Sequence, residues 1–269
     1  MTENRWRVLV AEPIDDVGPE SLTDVADCVW YDEYDGIEEM RADIGRFDAM
    51  IVRRFVVDRA LLDRADSLKV VAKHGAGLDN VDIPAATERN IVVCNTPDVN
   101  APSVAEHALT LLLAVRKRLG VADADVRSGT WDRTKYVSPE LRGDTLGLFG
   151  CGAIGAHVAA LARGIGMEVC YYDPYLAAEN GPPEATRVES KADLFERSDI
   201  VSVHTPLTDE TREAISTAEL DALGSGGILV NTARGAIVDE EALVEALDGT
   251  LAGAGLDVFE SEPLPPRHP

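Results

Sequence analysis

The sequence predicts an α/β protein made of two doubly wound parallel-sheet domains. Three observations predict it. Short apolar runs alternate with helix-like stretches from residue 8 to 94 and again from residue 145 to 256. An apolar block too long for a strand separates the two series. The second series opens on a glycine-rich turn between an apolar strand and an alanine-rich helix. Alternating strand and helix signals mark βαβ units, hence a mostly parallel sheet with helices on both faces.

In the first series Val8 to Ala11, Val29 to Tyr31, Ala49 to Val52, Val70 to Lys73 and Val92 to Cys94 read as strands. Between them Ile37 to Ile44, Asp58 to Ala65 and Pro84 to Arg89 read as helices, the last with proline at a tolerated first-turn position. Residues 1–98 are assigned to the first domain. From Ser103 to Leu119 the block Ala108, Leu109, Leu111 to Val115 predicts a long buried linker helix, with Ser103 and Glu106 spaced as a capping box. The same leucines offer a surface for a homodimer. A polar stretch, Ser128 to Gly143, follows, and residues 99–269 form the second domain.

In that domain Thr145 to Phe149, Glu168 to Tyr172, Ile200 to His204, Ile228 to Asn231 and Ala252 to Leu256 read as strands. Their C-terminal ends carry Gly150, Asp173, Thr205-Pro206, Thr232-Ala233-Arg234 and Asp257, and ligands of open α/β sheets bind at those ends. Gly150, Gly152 and Gly155 fit G-x-G-x-x-G: a tight turn, room for a pyrophosphate, and close packing of helix on strand. The helix N-terminus at Ala153-Ile154 presents unpaired N–H groups to phosphate. Three glycines at this spacing also occur in ordinary turns and in methyltransferases. Strand before, helix after, and an acid at the next strand end point to a Rossmann dinucleotide site. Asp173 is placed to accept hydrogen bonds from a ribose and to repel a 2′-phosphate, which selects NAD over NADP.

Composition narrows the partners. With 48 acidic and 25 basic residues the net charge is −23, which disfavours nucleic acid and anionic membrane. The polar N-terminus and the short first apolar run resemble neither a signal peptide nor a span. Cys28, Cys94, Cys151 and Cys170 have no metal-ligand or redox-pair spacing, so no metal and a reducing, cytoplasmic setting are expected. Only five of the basic residues are lysine. Acid excess with little lysine predicts a protein that works in high salt, where screening suppresses self-repulsion. Its melting temperature should climb from low to molar KCl; a flat or falling curve contradicts this.

Arg234 follows an apolar strand in Asn231-Thr232-Ala233-Arg234-Gly235, where a guanidinium can hold a carboxylate in bidentate geometry and polarise a neighbouring carbonyl. A solvated surface arginine is the alternative. Near the end, Asp257-Val258-Phe259-Glu260-Ser261-Glu262-Pro263 places three carboxylates beside the cofactor edge. One of them could orient an imidazole and keep it protonated for general acid work.

With Lys73-His74-Gly75-Ala76-Gly77-Leu78-Asp79-Asn80-Val81-Asp82, Asn95-Thr96-Pro97, Ser103-Val104-Ala105-Glu106-His107 and His204-Thr205-Pro206-Leu207-Thr208, these blocks make the chain resemble the D-isomer-specific 2-hydroxyacid dehydrogenases, the family of phosphoglycerate dehydrogenase and glyoxylate/hydroxypyruvate reductase. The resemblance runs from about Ala49 to the end. It implies that Arg234 binds the substrate carboxylate and carbonyl, that Glu262 pairs with a catalytic histidine, and that Asp257 hydrogen-bonds the nicotinamide amide. It also implies that the N–H groups of Ala76 and Gly77 hold the substrate carboxylate, with Lys73 and Arg53 near its distal end. Arg53 could equally be an exposed arginine at a strand end.

In the family the catalytic histidine follows the Glu-Pro element on a further strand, and this sequence stops at Pro269 before that point. His268 is too close to Glu262 to serve, and His107 is read as structural. An incomplete form of a working enzyme is the favoured expectation over a degenerate member. The expected reaction is NAD-dependent interconversion of a small 2-keto acid and a D-2-hydroxy acid, in a cleft between the domains. An NAD-sensing, corepressor-like binding protein on the same fold is the alternative.

Overall fold

The computed structural model describes residues 5–268, and the chain divides into two compact units, Met1–Asn100 and Ala101–Pro269. The first holds five parallel strands: β1 (Trp6–Val10), β2 (Ala26–Trp30), β3 (Ala49–Val52), β4 (Val70–Lys73) and β5 (Val92–Cys94). They lie in the order β2-β1-β3-β4-β5, and short helices α1 (Val17–Glu20), α2 (Ile37–Ala42), α3 (Arg59–Leu62) and α4 (Ile83–Glu88) make the connections. Asp58 and Asp82 cap α3 and α4 by accepting the N–H groups of Leu61 and Ala85, each at 2.8 Å. The core gathers Leu9, Met50, Val52 and Val71 from the strands with Met40, Ile44, Phe47 and Leu61 from the connections.

The second unit begins with α5 (Ala101–Arg116) and α6 (Leu119–Arg127). Then come β6 (Thr145–Phe149), α7 (Ala153–Gly164), β7 (Glu168–Tyr172), β8 (Thr186–Arg187), α8 (Lys191–Arg197), β9 (Ile200–Val203), α9 (Thr217–Leu223), β10 (Ile228–Asn231), α10 (Glu240–Leu247) and β11 (Gly253–Leu256). All pairings are parallel and the order is β11-β10-β9-β6-β7-β8, the doubly wound Rossmann order with its switch point between β6 and β9. Leu146, Leu148, Ile200, Ile228 and Val230 face one core with α5 and α7, while Phe149, Val201, Val203 and Leu229 face another with α8, α9 and α10. Burial on both faces explains why these strands read as continuous apolar runs.

Three expectations about the linker helix need correction. It runs over Ala101–Arg116, so Ser103 and Glu106 lie inside it and form no capping box. Pro102 explains the earlier start: a residue without an N–H and with a fixed helical φ belongs in the first turn, where donors have no intrahelical acceptor. The helix also stops short of Leu119, because Arg118 adopts a left-handed φ of 51° and α6 begins after it. The leucine block is not a free surface either. Leu112 is buried, and Leu111, Leu113 and Val115 pack against the unit's own core. The exposed apolar side chains lie further on, at Leu119, Val121, Val126, Trp131 and Val137. Among the described residues no helix is long and apolar enough to cross a membrane.

Candidate active site

The glycine turn sits at the switch point. Gly150 has φ +89°, and a Cβ there would lie 2.7 Å from the Thr205 nitrogen and 2.8 Å from the His204 carbonyl. The first glycine is therefore fixed twice, by its left-handed backbone and by the loop leaving β9. Gly155 is needed for another reason: its Cβ would stand 2.8 Å from the Gly150 oxygen, so α7 can pack on the turn only without a side chain. Gly152 is different again. A Cβ there would meet nothing within 4 Å, and no side chain caps α7. Open space beside Gly152 and the uncapped helix end at Ala153 and Ile154 fit a pyrophosphate.

Asp173, just beyond β7, is held by backbone donors. Its Oδ2 accepts the Cys151 N–H at 2.9 Å, and its Oδ1 accepts those of Tyr175 and Leu176 at 2.9 and 3.1 Å. A carboxylate offers about four acceptor directions. Three are taken, which fixes the group and leaves room for a ribose hydroxyl. On the far side of the turn, the His204 Nε2 meets Ser202 Oγ at 2.8 Å, and burial pushes the imidazole down to about 4, so the ring is neutral. Its Nδ1 and the Thr232 Oγ1 are buried without a hydrogen-bond partner in the protein. Orphaned polar atoms beside Thr205-Pro206 and Ala233 fit a site completed by a ligand.

Arg234 is placed by Asn231, which is 1% exposed. The Asn231 Oδ1 accepts the Ala233 N–H at 3.0 Å and its Nδ2 donates to the Arg234 carbonyl at 2.9 Å, while Arg234 Nη1 donates to the Ala233 oxygen at 2.6 Å. Gly235 joins this loop to the segment after β11. A Cβ on Gly235 would fall 1.9 Å from the Phe259 carbonyl carbon, so the two backbones touch there. In that segment Glu262 Oε1 accepts the Phe259 N–H at 3.2 Å and Asp257 N donates to the Asn231 oxygen at 3.0 Å. His268 Nε2 pairs with Glu240 Oε2 at 3.0 Å. Arg234, Glu262, Asp257, Thr232 and the glycine turn thus share the C-terminal edge of one sheet.

The remaining candidates lie in the first unit. Glu12 Oε2 accepts three consecutive backbone N–H groups, from Arg53 at 2.7 Å, Arg54 at 2.5 Å and Phe55 at 2.6 Å. The Lys73 ammonium donates to the Arg53 carbonyl and to Asn80 Oδ1, and Asn80 Nδ2 donates to the Phe55 carbonyl at 2.7 Å. Lys73 therefore supports the Arg53 loop. Asn95 Nδ2 donates to the Ala76 carbonyl at 2.6 Å and Thr96 N to that of Gly75 at 3.0 Å, so two separate sequence blocks form one turn that presents Ala76 and Gly77. Glu12, Asn80, Asn231 and Gly235 were not singled out as site residues from sequence. Only the joint occurrence of Asn80, Asn95 and Asn231 in the quoted blocks was available as a signal.

A family model described as D-isomer specific 2-hydroxyacid dehydrogenase, NAD binding domain, matches residues 109–269. The chain is 38% identical over 265 residues to the D-3-phosphoglycerate dehydrogenase of Archaeoglobus fulgidus, covering 98% of this chain and 50% of that one. It is 38% identical over 261 residues to the hydroxypyruvate reductase of Thermotoga maritima, covering 96% of this chain and 84% of that one. Among solved structures, D-lactate dehydrogenase from Aquifex aeolicus, complexed with NAD and lactic acid, superposes with a TM-score of 0.84 at 29% identity, covering 95% of this chain and 77% of that one. The chain spans about half the length of the phosphoglycerate dehydrogenases it matches.

Proposed function

Since the chain belongs to the D-isomer specific 2-hydroxyacid dehydrogenase family and its second unit is that family's NAD-binding domain, we propose that the protein interconverts a small 2-keto acid and a D-2-hydroxy acid with NAD, in the manner of phosphoglycerate dehydrogenase or hydroxypyruvate/glyoxylate reductase. The observation that carries this reading is the convergence of Arg234, Asp257 and Glu262 on the sheet edge that holds the glycine turn. Arg234 is read as gripping the substrate carboxylate with one part of its planar fork and gathering charge on the carbonyl oxygen with another. Glu262, anchored through Oε1 to the Phe259 N–H, has its second oxygen left to orient an imidazole as general acid. Ala76 and Gly77 are read as backbone donors to the substrate carboxylate, and Arg53 and Lys73 as setting the charge around its distal end. NAD, when bound, accepts or supplies the hydride.

The test is NADH oxidation by the natural full-length protein in molar KCl with hydroxypyruvate, glyoxylate, 3-phosphohydroxypyruvate and 2-ketoglutarate, followed by chiral analysis of the product. Turnover of at least one to the D-product is expected. NADH binding with no turnover of any 2-keto acid contradicts the proposal and favours an NAD-sensing role.

Asp173 gives a separate prediction. The wild type should bind NADH far more tightly than NADPH, and Asp173→Ser should weaken NADH about tenfold, the loss of one charged hydrogen bond, while weakening NADPH less. Titration of both cofactors against both proteins checks this, and an unchanged preference removes Asp173 from the ribose.

A further inference from the structure

We propose that His107 is a positioning residue for the cofactor's nicotinamide end, acting through Asp257. The inference rests on the reading of Asp257 as the acceptor for the nicotinamide carboxamide.

The geometry begins with two glycines in β11. A Cβ on Gly255 would lie 2.9 Å from Leu111 Cβ, and one on Gly253 would lie 2.7 Å from Val115 Cγ1. Helix α5 therefore packs directly on the backbone of β11, and the two run antiparallel. Four residues along a helix advance about 6 Å and two along a strand about 6.6 Å, so the registers nearly match. One more step along each element brings His107 opposite Asp257. There the His107 Nε2 stands 3.2 Å from Asp257 Oδ1. Asp257 is also fixed through its backbone, which donates to the Asn231 carbonyl at 3.0 Å.

With the imidazole Nε2 seated 3.2 Å from Oδ1, Oδ2 is left to accept a carboxamide N–H. Without that contact the carboxylate is free to rotate about its side-chain torsions, and part of its population turns away. Both side chains are about half exposed, so the pair adds little to folding stability. Its effect is on the orientation of one carboxylate.

The test measures binding of NADH and of ADP-ribose, which lacks nicotinamide, by titration calorimetry on the full chain and on His107→Leu, His107→Gln and Asp257→Ala. His107→Leu should raise the NADH Kd about tenfold, as expected for a displaced hydrogen bond to a charged group, with the ADP-ribose Kd and melting temperature unchanged. His107→Gln, whose amide nitrogen reaches the Nε2 position, should restore most of the affinity. Equal weakening of both ligands by His107→Leu overturns the proposal in favour of a structural role in α5, as does a glutamine variant no better than leucine. If Asp257→Ala weakens NADH and His107→Leu does not, the histidine is dispensable while the reading of Asp257 stands. If Asp257→Ala leaves NADH unchanged, that reading falls and this inference with it.

Discussion

Replacing Arg234 by lysine should lower kcat/KM for the preferred 2-keto acid about 10³-fold while leaving the NADH Kd unchanged. Lysine keeps the positive charge, so a purely electrostatic role would survive. What it lacks is the planar fork that can meet a carboxylate and an adjacent carbonyl oxygen together. Loss of one charge-stabilising donor costs about 10² to 10³-fold, and loss of a two-point grip lies at the upper end. The loop itself should persist, because Asn231 holds it through the Ala233 N–H and the Arg234 carbonyl, both backbone groups. Steady-state kinetics with parallel cofactor titration separates the outcomes. A lysine variant with near-normal kcat/KM would place the substrate carboxylate elsewhere.

Gly235→Ala should be the most damaging small substitution in the second unit. The added methyl would sit 1.9 Å from the Phe259 carbonyl carbon and 2.3 Å from the Glu260 nitrogen, and backbone cannot swing away as a side-chain tip can. Either the Arg234 loop or the Asp257–Glu262 segment must move. Overpacking of this kind costs about 1 to 3 kcal/mol and occasionally more, which lowers the melting temperature by roughly 2–12 °C in a chain of this size. Because the displaced segment carries Asp257 and Glu262, turnover should fall with stability. Gly152→Ala is the internal comparison: its methyl meets no protein atom and its φ of −73° suits alanine, so the apo protein should melt normally while NADH binds more weakly. A Gly235→Ala protein with unchanged melting and turnover would show that the two backbones do not press on each other.

Several features were legible because they depend on local pattern. The strands β3, β4, β5, β6, β7 and β10 match the apolar runs residue for residue, and in β6, β7 and β10 burial on both faces accounts for the uninterrupted apolar signature. The strand β8, Thr186–Arg187, was not legible: two polar residues at a sheet edge carry no pattern of their own. The start of α5 follows Pro102, which marks a first turn more strongly than a serine and a glutamate at capping-box spacing.

The sequence by itself determined the two parallel-sheet units, the glycine turn between strand and helix, the acid after the next strand, and the set of residues at the C-terminal strand ends, because these follow from periodicity and from backbone rules that act over a few residues. Only the tertiary structure decided that Lys73 spends its ammonium on the Arg53 loop, that Glu12 fills the nest of N–H groups at residues 53 to 55, and that Gly235 and Gly255 are required by chains crossing over them. It also brought His107 to Asp257, across 150 residues of sequence. The physical reason is common to all four: a partner distant in the chain is set by packing, and packing leaves no trace in the spacing of neighbouring residues.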